Sequence, residues 1–374
     1  MINALLLWTA LAAPPAHVAA TADTWPSWRG DEGQTGRSPS ALSDQLTTRW
    51  TWTGADAIVA GAVVDTARVY VGSKDGRMVA LNRTTGALAW EVKAGGSIEA
   101  PGLLVGDVLV FGAKDRLVRA VDAATGALRW SADLGAEIIA APSFVPAANG
   151  RAAGVVIGDY GGDVVLLDLA TGAVRWTYPT GSYIYGSPAV LPEHAVIGGC
   201  DGYVHTLRLA DGKPVAKVEV GAYVGASVAT EGGSAWVGHF GNLVVGFDPL
   251  TGKVGWTHRD RSFPYLSSPA VGKEFIVLGG RDHMVRALEK GTGELWWIFA
   301  ARERVESSPV IAGDLVIIGA DDGRLYLLDA EDGHERKAFD LGAAVAATPA
   351  VAGGWVFVGT ADGTLHALGP KVKK

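Results

Sequence analysis

Residues 69–92 read VYVGSKDGRMVALNRTTGALAWEV, and the pattern recurs through the chain. Its relatives include VLVFGAKDRLVRAVDAATGALRW at 108–130 and WVFVGTADGTLHALGP at 355–370. The first glycines of the eight copies are Gly72, Gly112, Gly158, Gly198, Gly238, Gly279, Gly319 and Gly359. The steps between them are 40, 46, 40, 40, 41, 40 and 40 residues. A fixed period of this length marks a repeat architecture. Each copy holds four short strand signals. The first ends in a small residue and proline, as in Ser187-Pro188 and Ser308-Pro309. The second is a β-branched run ending in the glycine. The third alternates, and the fourth carries a tryptophan. Asp-Gly pairs such as Asp75-Gly76 and Asp322-Gly323 predict two-residue hairpin turns with both residues at positive φ. Four-stranded units at this period read as blades of an all-β propeller.

The tryptophans predict how the ring closes. They fall at Trp50, Trp90, Trp130, Trp176, Trp256 and Trp297, with Ala216 and Lys337 at the two remaining junctions. Trp50 has no preceding strands of its own, and the last copy stops at Gly369 without a fourth strand. Residues 47–53 are therefore expected to complete the final blade. This gives an eight-bladed propeller over 47–369, a lead-in over 23–46 and a short tail over 370–374. The six extra residues of the third copy fall at 146–152.

Composition excludes several classes. Hydrophobic residues make up 48% of the 374 and charged residues 19%, which favours a folded chain. The 51 glycines follow no collagen period. With 32 basic and 39 acidic residues the net charge is -7, so nucleic acid is not an expected partner. One cysteine, Cys200, excludes an intrachain disulfide and a two-cysteine metal site. It lies in a hairpin and is expected as an exposed free thiol.

The first 22 residues read as an export signal. Residues 4–13 are a short apolar core, and Ala20-Thr21-Ala22 fits a cleavage site before Asp23. The n-region, Met-Ile-Asn, carries no positive charge. No cysteine follows the apolar core, so the mature chain is expected to be soluble, periplasmic or secreted, and not a lipoprotein. No integral membrane segment is expected after cleavage, and the protein on its own is expected as a monomer.

The stretch Ala80-Leu-Asn82-Arg-Thr-Thr85-Gly86-Ala-Leu-Ala-Trp90 resembles the tryptophan-docking motif A-x-D-x-x-T-G-x-x-x-W of the quinoprotein (PQQ-like) β-propeller family. Ala120, Asp122, Thr125, Gly126 and Trp130 match it in full. The resemblance implies that Trp50, Trp90, Trp130, Trp176, Trp256 and Trp297 dock one blade on the next. Trp25-Pro-Ser-Trp28-Arg29-Gly30 is similar to a lead-in of exported members. The resemblance leaves two functions open, since fold does not choose function. Quinone-dependent alcohol dehydrogenases of this family stack the quinone on an adjacent-cysteine disulfide, which one cysteine cannot form. BamB-like propellers of outer-membrane protein assembly match the size and the even blades. The expectation is a non-catalytic envelope scaffold with a protein or peptide client and no cofactor. A quinone enzyme using PQQ with calcium is the alternative, and a small-ligand or glycan sensor is a third.

Strand order collects the Asp-Gly hairpins and the connections between blades on one face. Counting back from the prolines, alternate residues share a side. One parity holds Glu137, Tyr183, Tyr185, Tyr223, Arg304 and Glu306, and Arg261 and Arg302 lie in neighbouring connections. The other parity, including Ile138, Ile184, Val224 and Val305, is apolar and expected between blades. The polar and aromatic set reads equally as a solvated rim and as a ligand or peptide site. No histidine spacing predicts a metal. His239 and His283 fall in the hairpin region, and His205 and His366 read as packing or surface residues.

Overall fold

The computed structural model describes residues 18–259 and 263–371. Eight antiparallel sheets follow one another around a ring. Blades 1 to 7 cover 63–93, 103–133, 143–179, 189–219, 229–258, 270–300 and 310–340. Blade 8 takes three strands from 350–370, and its outermost strand is Leu46–Thr53 from the other end of the chain. That strand runs antiparallel to Thr364–Pro370, pairing Thr47 with Gly369 and Thr53 with Thr364. The ring is closed as the sequence implies. Among the described residues, no helix is long and apolar enough to cross a membrane.

The second and third strands of each blade are buried on both faces, as Arg68–Gly72 and Arg77–Asn82 illustrate. Runs such as Val69-Tyr70-Val71 suit that site, because β-branched and aromatic side chains pack well on a pleated surface. The glycine ending each second strand has a different task. A side chain on Gly72 would overlap Ile98, and one on Gly112 would overlap Ile138. The same holds for Gly158 with Ile184, Gly198 with Val224, and so on to Gly359 with Ile58. Each glycine makes room for an apolar residue entering the next blade. Ile58, Ile98, Ile138, Ile184 and Val224 are all fully buried.

The tryptophans make the outer contact between blades. The indole N–H of Trp50, Trp90, Trp130, Trp176, Trp256 and Trp297 donates to a backbone carbonyl of the following blade at 2.8–3.0 Å. Their rings pack on Gly86, Gly126, Gly172, Gly212, Gly293 and Gly333. The two exceptions keep the bond with other chemistry. Where Ala216 stands, the Thr206 hydroxyl donates to Pro249 O at 2.5 Å. Where Lys337 stands, its ammonium donates to Leu46 O at 2.9 Å.

Two expectations are corrected. The innermost strands begin after the proline, as in Ala189–Val190 following Pro188. Proline cannot donate to the ladder, so pairing starts beyond it. The residue before it joins a belt around the channel instead. The Ala141 N–H donates to Ser187 Oγ, Ser187 to Ser227, Ser227 to Ser268 and Ser268 to Ser308, all at 2.8–2.9 Å. The Asp-Gly hairpins are also not two-residue turns. Only the glycine has positive φ, as at Gly76 (84°). The aspartate Oδ1 accepts the N–H two residues on, Asp75 from Arg77, which forms an Asx turn around a three-residue loop.

The lead-in closes the channel at the face of the first-to-second-strand loops. Its backbone bonds to innermost strands nearly all round the ring. Trp25 pairs with Val64, Pro26 O accepts from Leu104, Glu32 O from Val190, Gly33 O from Thr230 and Gly36 O from Ile311. Arg37–Ser38 adds a parallel strand to blade 7. Arg29 is fully buried and donates to Pro309 O at 2.6 Å and Pro269 O at 2.8 Å. Burial lowers its guanidinium to about 9. Residues 1–17, which hold most of the expected export signal, lie outside the described residues. Val18 is buried against the ring, and Ala22 is tied to it through its carbonyl. Val18 N–H donates to Glu32 Oε1 at 2.8 Å, and Ala22 O accepts from Gly353 N–H at 2.6 Å. Cleavage before Asp23 would remove these contacts.

One pair of substitutions separates the tryptophan contact from ordinary turn geometry. Gly172 and Gly252 have like φ, 72° and 75°. A methyl on Gly172 would lie 2.5 Å from Trp130, whereas around Gly252 the nearest atoms are at 3.8 Å. Gly252→Ala should therefore cost only the left-handed penalty, about 1 kcal/mol, and Gly172→Ala about 2–4 kcal/mol. Urea unfolding of the two variants measures the difference.

Candidate functional site: an aromatic mouth on a closed cup

The open end of the channel is built by two sets of residues. The segments leading into each innermost strand alternate as counted: Ile138, Ile184, Val224 and Val305 are buried. Tyr183, Tyr185 and Tyr223 are 52%, 43% and 62% exposed. The hairpin tips dock on these segments through one backbone bond per blade. Tyr160 N–H donates to Glu137 O, Cys200 to Tyr183 O, Phe240 to Tyr223 O and Asp321 to Arg304 O, at 2.7–2.9 Å. Each tip side chain is thereby set beside the mouth.

The mouth has two chemically different halves. On blades 3 to 6, a cavity of about 540 Å³ is lined by Tyr160, Tyr183, Tyr185, Tyr223, Phe240 and Leu266, with Ser182, Cys200, Gly225 and Arg281 completing it. Tyr160 and Tyr183 stack with centroids 4.4 Å apart and planes 7° from parallel. Tyr185 meets Tyr160 edge-on at 5.4 Å, and their hydroxyls lie 3.0 Å apart. That bond pushes the Tyr185 phenol up to about 12. Gly225 leaves space for the wall, since a side chain there would come within 2.9 Å of Phe240 and Leu266. The other half is charged and carries three ion pairs. Arg281 Nε meets Glu306 Oε1 at 2.6 Å, Arg304 faces Asp321 at 3.6 Å, and Lys114 meets Glu99 at 3.1 Å. Burial raises the Asp321 carboxyl above its ordinary range.

Of the residues singled out by sequence, Tyr183, Tyr185 and Tyr223 share the cavity. Glu306 adjoins it through Arg281. Glu137 is exposed and contributes its carbonyl to Tyr160. Arg302 and Arg304 are exposed away from the lining, and Arg261 lies outside the described residues. Tyr160, Phe240, Leu266 and Arg281 were not singled out by the sequence reading. The signal for them was available: Tyr160 and Phe240 stand at hairpin tips where other copies carry Lys74 and Lys114. Cys200 is corrected. It is buried at 6% exposure in the cavity wall, and burial pushes its thiol up. His239 is buried beneath the mouth, its Nδ1 accepting the Gly241 N–H at 3.0 Å. Its burial lowers the imidazole to about 4. His205 is a packing residue between Asp201 and Tyr178.

A planar, polyanionic quinone held with calcium would make a definite demand on this lining. Calcium takes six to eight oxygen ligands, with carboxylates prominent. Among the described residues the lining holds phenols, a hydroxyl, a thiol and a guanidinium, with no carboxylate or amide side chain. The single guanidinium is already paired with Glu306. This donor set does not fit that group.

Comparison with known proteins gives the following. A family model, PQQ_2, described as outer membrane protein assembly factor BamB, matches residues 25–190, 200–338 and 281–371. No curated protein matches the sequence significantly. The chain is similar to BamB from Moraxella catarrhalis at 20% identity and TM-score 0.71, over 87% of this chain and 99% of that one. It is similar to the computationally designed protein Ika8 at 21% identity and TM-score 0.74, over 84% and 96%. A europium-containing methanol dehydrogenase matches at 13% identity and TM-score 0.80, over 93% and 98%. At these identities the solved structures share the fold.

Two measurements follow from the geometry. Cys200 should react with a thiol reagent at pH 8 at least about tenfold slower in the folded chain than in denaturant, since its thiolate is disfavoured and covered. The second concerns pH. An unfolded imidazole takes up a proton below about 6.5, but folded His239 does so only near 4. The unfolded chain thus binds more protons in that window. The stability tied to His239 is complete above pH 6.5 and is lost as pH falls toward 4, by at most about 3 kcal/mol. Thermal unfolding of His239→Asn should show a shallower decline over the same range.

Proposed function

The chain belongs to the PQQ_2 family of BamB-type propellers, and from that premise we propose a non-catalytic binding scaffold of the cell envelope. Its client is a protein or peptide, and its docking face is the aromatic mouth. One observation carries this reading: four tyrosines and a phenylalanine gather at the open end of a ring whose other end is sealed by its own lead-in. Tyrosine supplies a large amphipathic contact at low entropic cost, and such residues anchor protein interfaces. The volume of about 540 Å³ suits a few side chains of a client and exceeds one ring.

The charged half supports the same reading. Arg281 is held by Glu306 and Arg304 faces Asp321, so these described charges are met within the ring. Paired rim charges steer and select a partner more than they bind it. A quinone-dependent oxidoreductase is the competing reading, and the donor set of the cavity argues against it.

The decisive experiment is photocrosslinking in the native envelope from a benzoyl-phenylalanine at position 223. An envelope protein should be captured from position 223 and not from position 128, on the outer rim. Tyr183→Ala combined with Tyr223→Ala should weaken binding of that client at least about tenfold. Equal capture from both positions would sink the scaffold reading. So would calorimetric binding of pyrroloquinoline quinone with calcium that those substitutions abolish.

A further inference from the structure

A second binding surface lies on the outside of the ring. Every blade ends in an outermost strand whose free edge offers unpaired backbone N–H and C=O groups. Proteins guard such edges with charge. The register places one outer-strand residue at the middle of each edge, charged in two blades and hydroxylated in four. At the position opposite the centre of the third strand stand Glu91, Ser131, Thr177, Lys217, Thr257, Ala338 and Thr51. In blade 6 the same position is Ile298, opposite Arg286. The neighbouring outward position is Arg129, Arg175, Arg336 and Arg49 in four blades, Ala89, Val215 and Gly255 in three, and Trp296 in blade 6. The blade 6 strand, Leu295–Ala300, reads Leu-Trp-Trp-Ile-Phe-Ala and has no ionisable side chain. Leu295, Trp296 and Ile298 are 48%, 46% and 43% exposed. Phe275 extends the strip, with its ring 5.7 Å from that of Trp296.

We propose that this edge adds an extended strand of another polypeptide, uncharged and with apolar residues at alternate positions. Backbone bonds along the edge supply affinity, and the Trp296–Ile298 strip selects the side chains. Two observations fix the occupant. The strip carries no charge to pair, so a charged residue laid on it would be desolvated without compensation. The strand is also short: six residues span about 20 Å, and an edge contact of that length falls far below the roughly 800 Å² per partner of a stable dimer. A second copy of the chain is thereby disfavoured. This surface is separate from the mouth and does not rest on it.

The test uses the full chain and a fluorescent peptide of about ten residues alternating valine and threonine, with a second peptide carrying lysine at two central valines. Fluorescence anisotropy should show binding of the first and not of the second. Trp296→Lys with Ile298→Lys should weaken it about tenfold, while Leu128→Lys, on a guarded edge, leaves it unchanged. Amide exchange at 295–300 should slow when the peptide is bound. No binding, or equal binding by all variants, overturns the proposal. So does loss of binding in Tyr183→Ala/Tyr223→Ala with the edge variant unaffected, which assigns the peptide to the mouth. A concentration-dependent dimer abolished by Ile298→Lys would give the edge to a second copy instead. Trp296 also donates to Glu331 O at 3.1 Å, so thermal unfolding must show each lysine variant still folded at the assay temperature.

Discussion

Each blade reaches its neighbour by pushing one apolar side chain into a space that a glycine leaves empty. Ile98 enters over Gly72, Ile138 over Gly112, and Ile58 over Gly359, where the last blade meets the first. The glycine sits at the end of the second strand, so it also marks where the hairpin begins. Interiors of proteins are close-packed, and a methyl group at this contact has nowhere to go. The spacing of the blades, the position of the hairpins and the closure of the ring all depend on it. The tryptophan contact works at a greater radius and is more replaceable. Where tryptophan is missing, Thr206 reaches the equivalent carbonyl and Lys337 reaches Leu46 O on the outermost strand of the next blade. What the junction requires there is a donor for one buried carbonyl, and three side chains can supply it.

The lead-in turns a ring into a cup. An open channel would leave the inward edges of eight innermost strands facing water. Residues 25–38 cover them by completing their hydrogen bonds, and Arg29 satisfies two carbonyls at once. A buried guanidinium is costly to desolvate, and its lowered pKa records that cost. The bonds to Pro269 and Pro309 offset it. With one end sealed, the channel can receive a partner from the other end only. Polarity of function in this fold thus begins with a segment that belongs to no blade.

The mouth and the outer edge of blade 6 use the same repeat in opposite ways. The repeat sets the backbone, and single positions within it vary freely. Tip residues run from Lys74 through Tyr160 and Phe240 to Asp321 without disturbing the hairpin beneath. Outer-strand residues vary from Glu91 to Ile298 without disturbing the sheet. Such positions carry no packing constraint, so chemistry can be written there.

The fold was legible in the sequence because its signals are local and repeated. A forty-residue glycine period, a docking tryptophan and an orphan strand at Trp50 specify eight blades and their closure. Alternation also placed Tyr183, Tyr185 and Tyr223 on one side, since period two survives outside a regular strand. Turn geometry was less legible. An Asp-Gly pair is compatible with more than one hairpin, and the Asx bond of Asp75 chooses between them. The cavity was only half visible, because Tyr160, Phe240 and Arg281 meet Tyr183 and Tyr223 across blades about 40 residues apart. The burial of Cys200 and the sealing of the channel by Arg29 were beyond sequence for the same reason. Periodicity determines what each residue does within its blade. Which residues converge at the axis is a property of the closed ring, and only tertiary structure decides it.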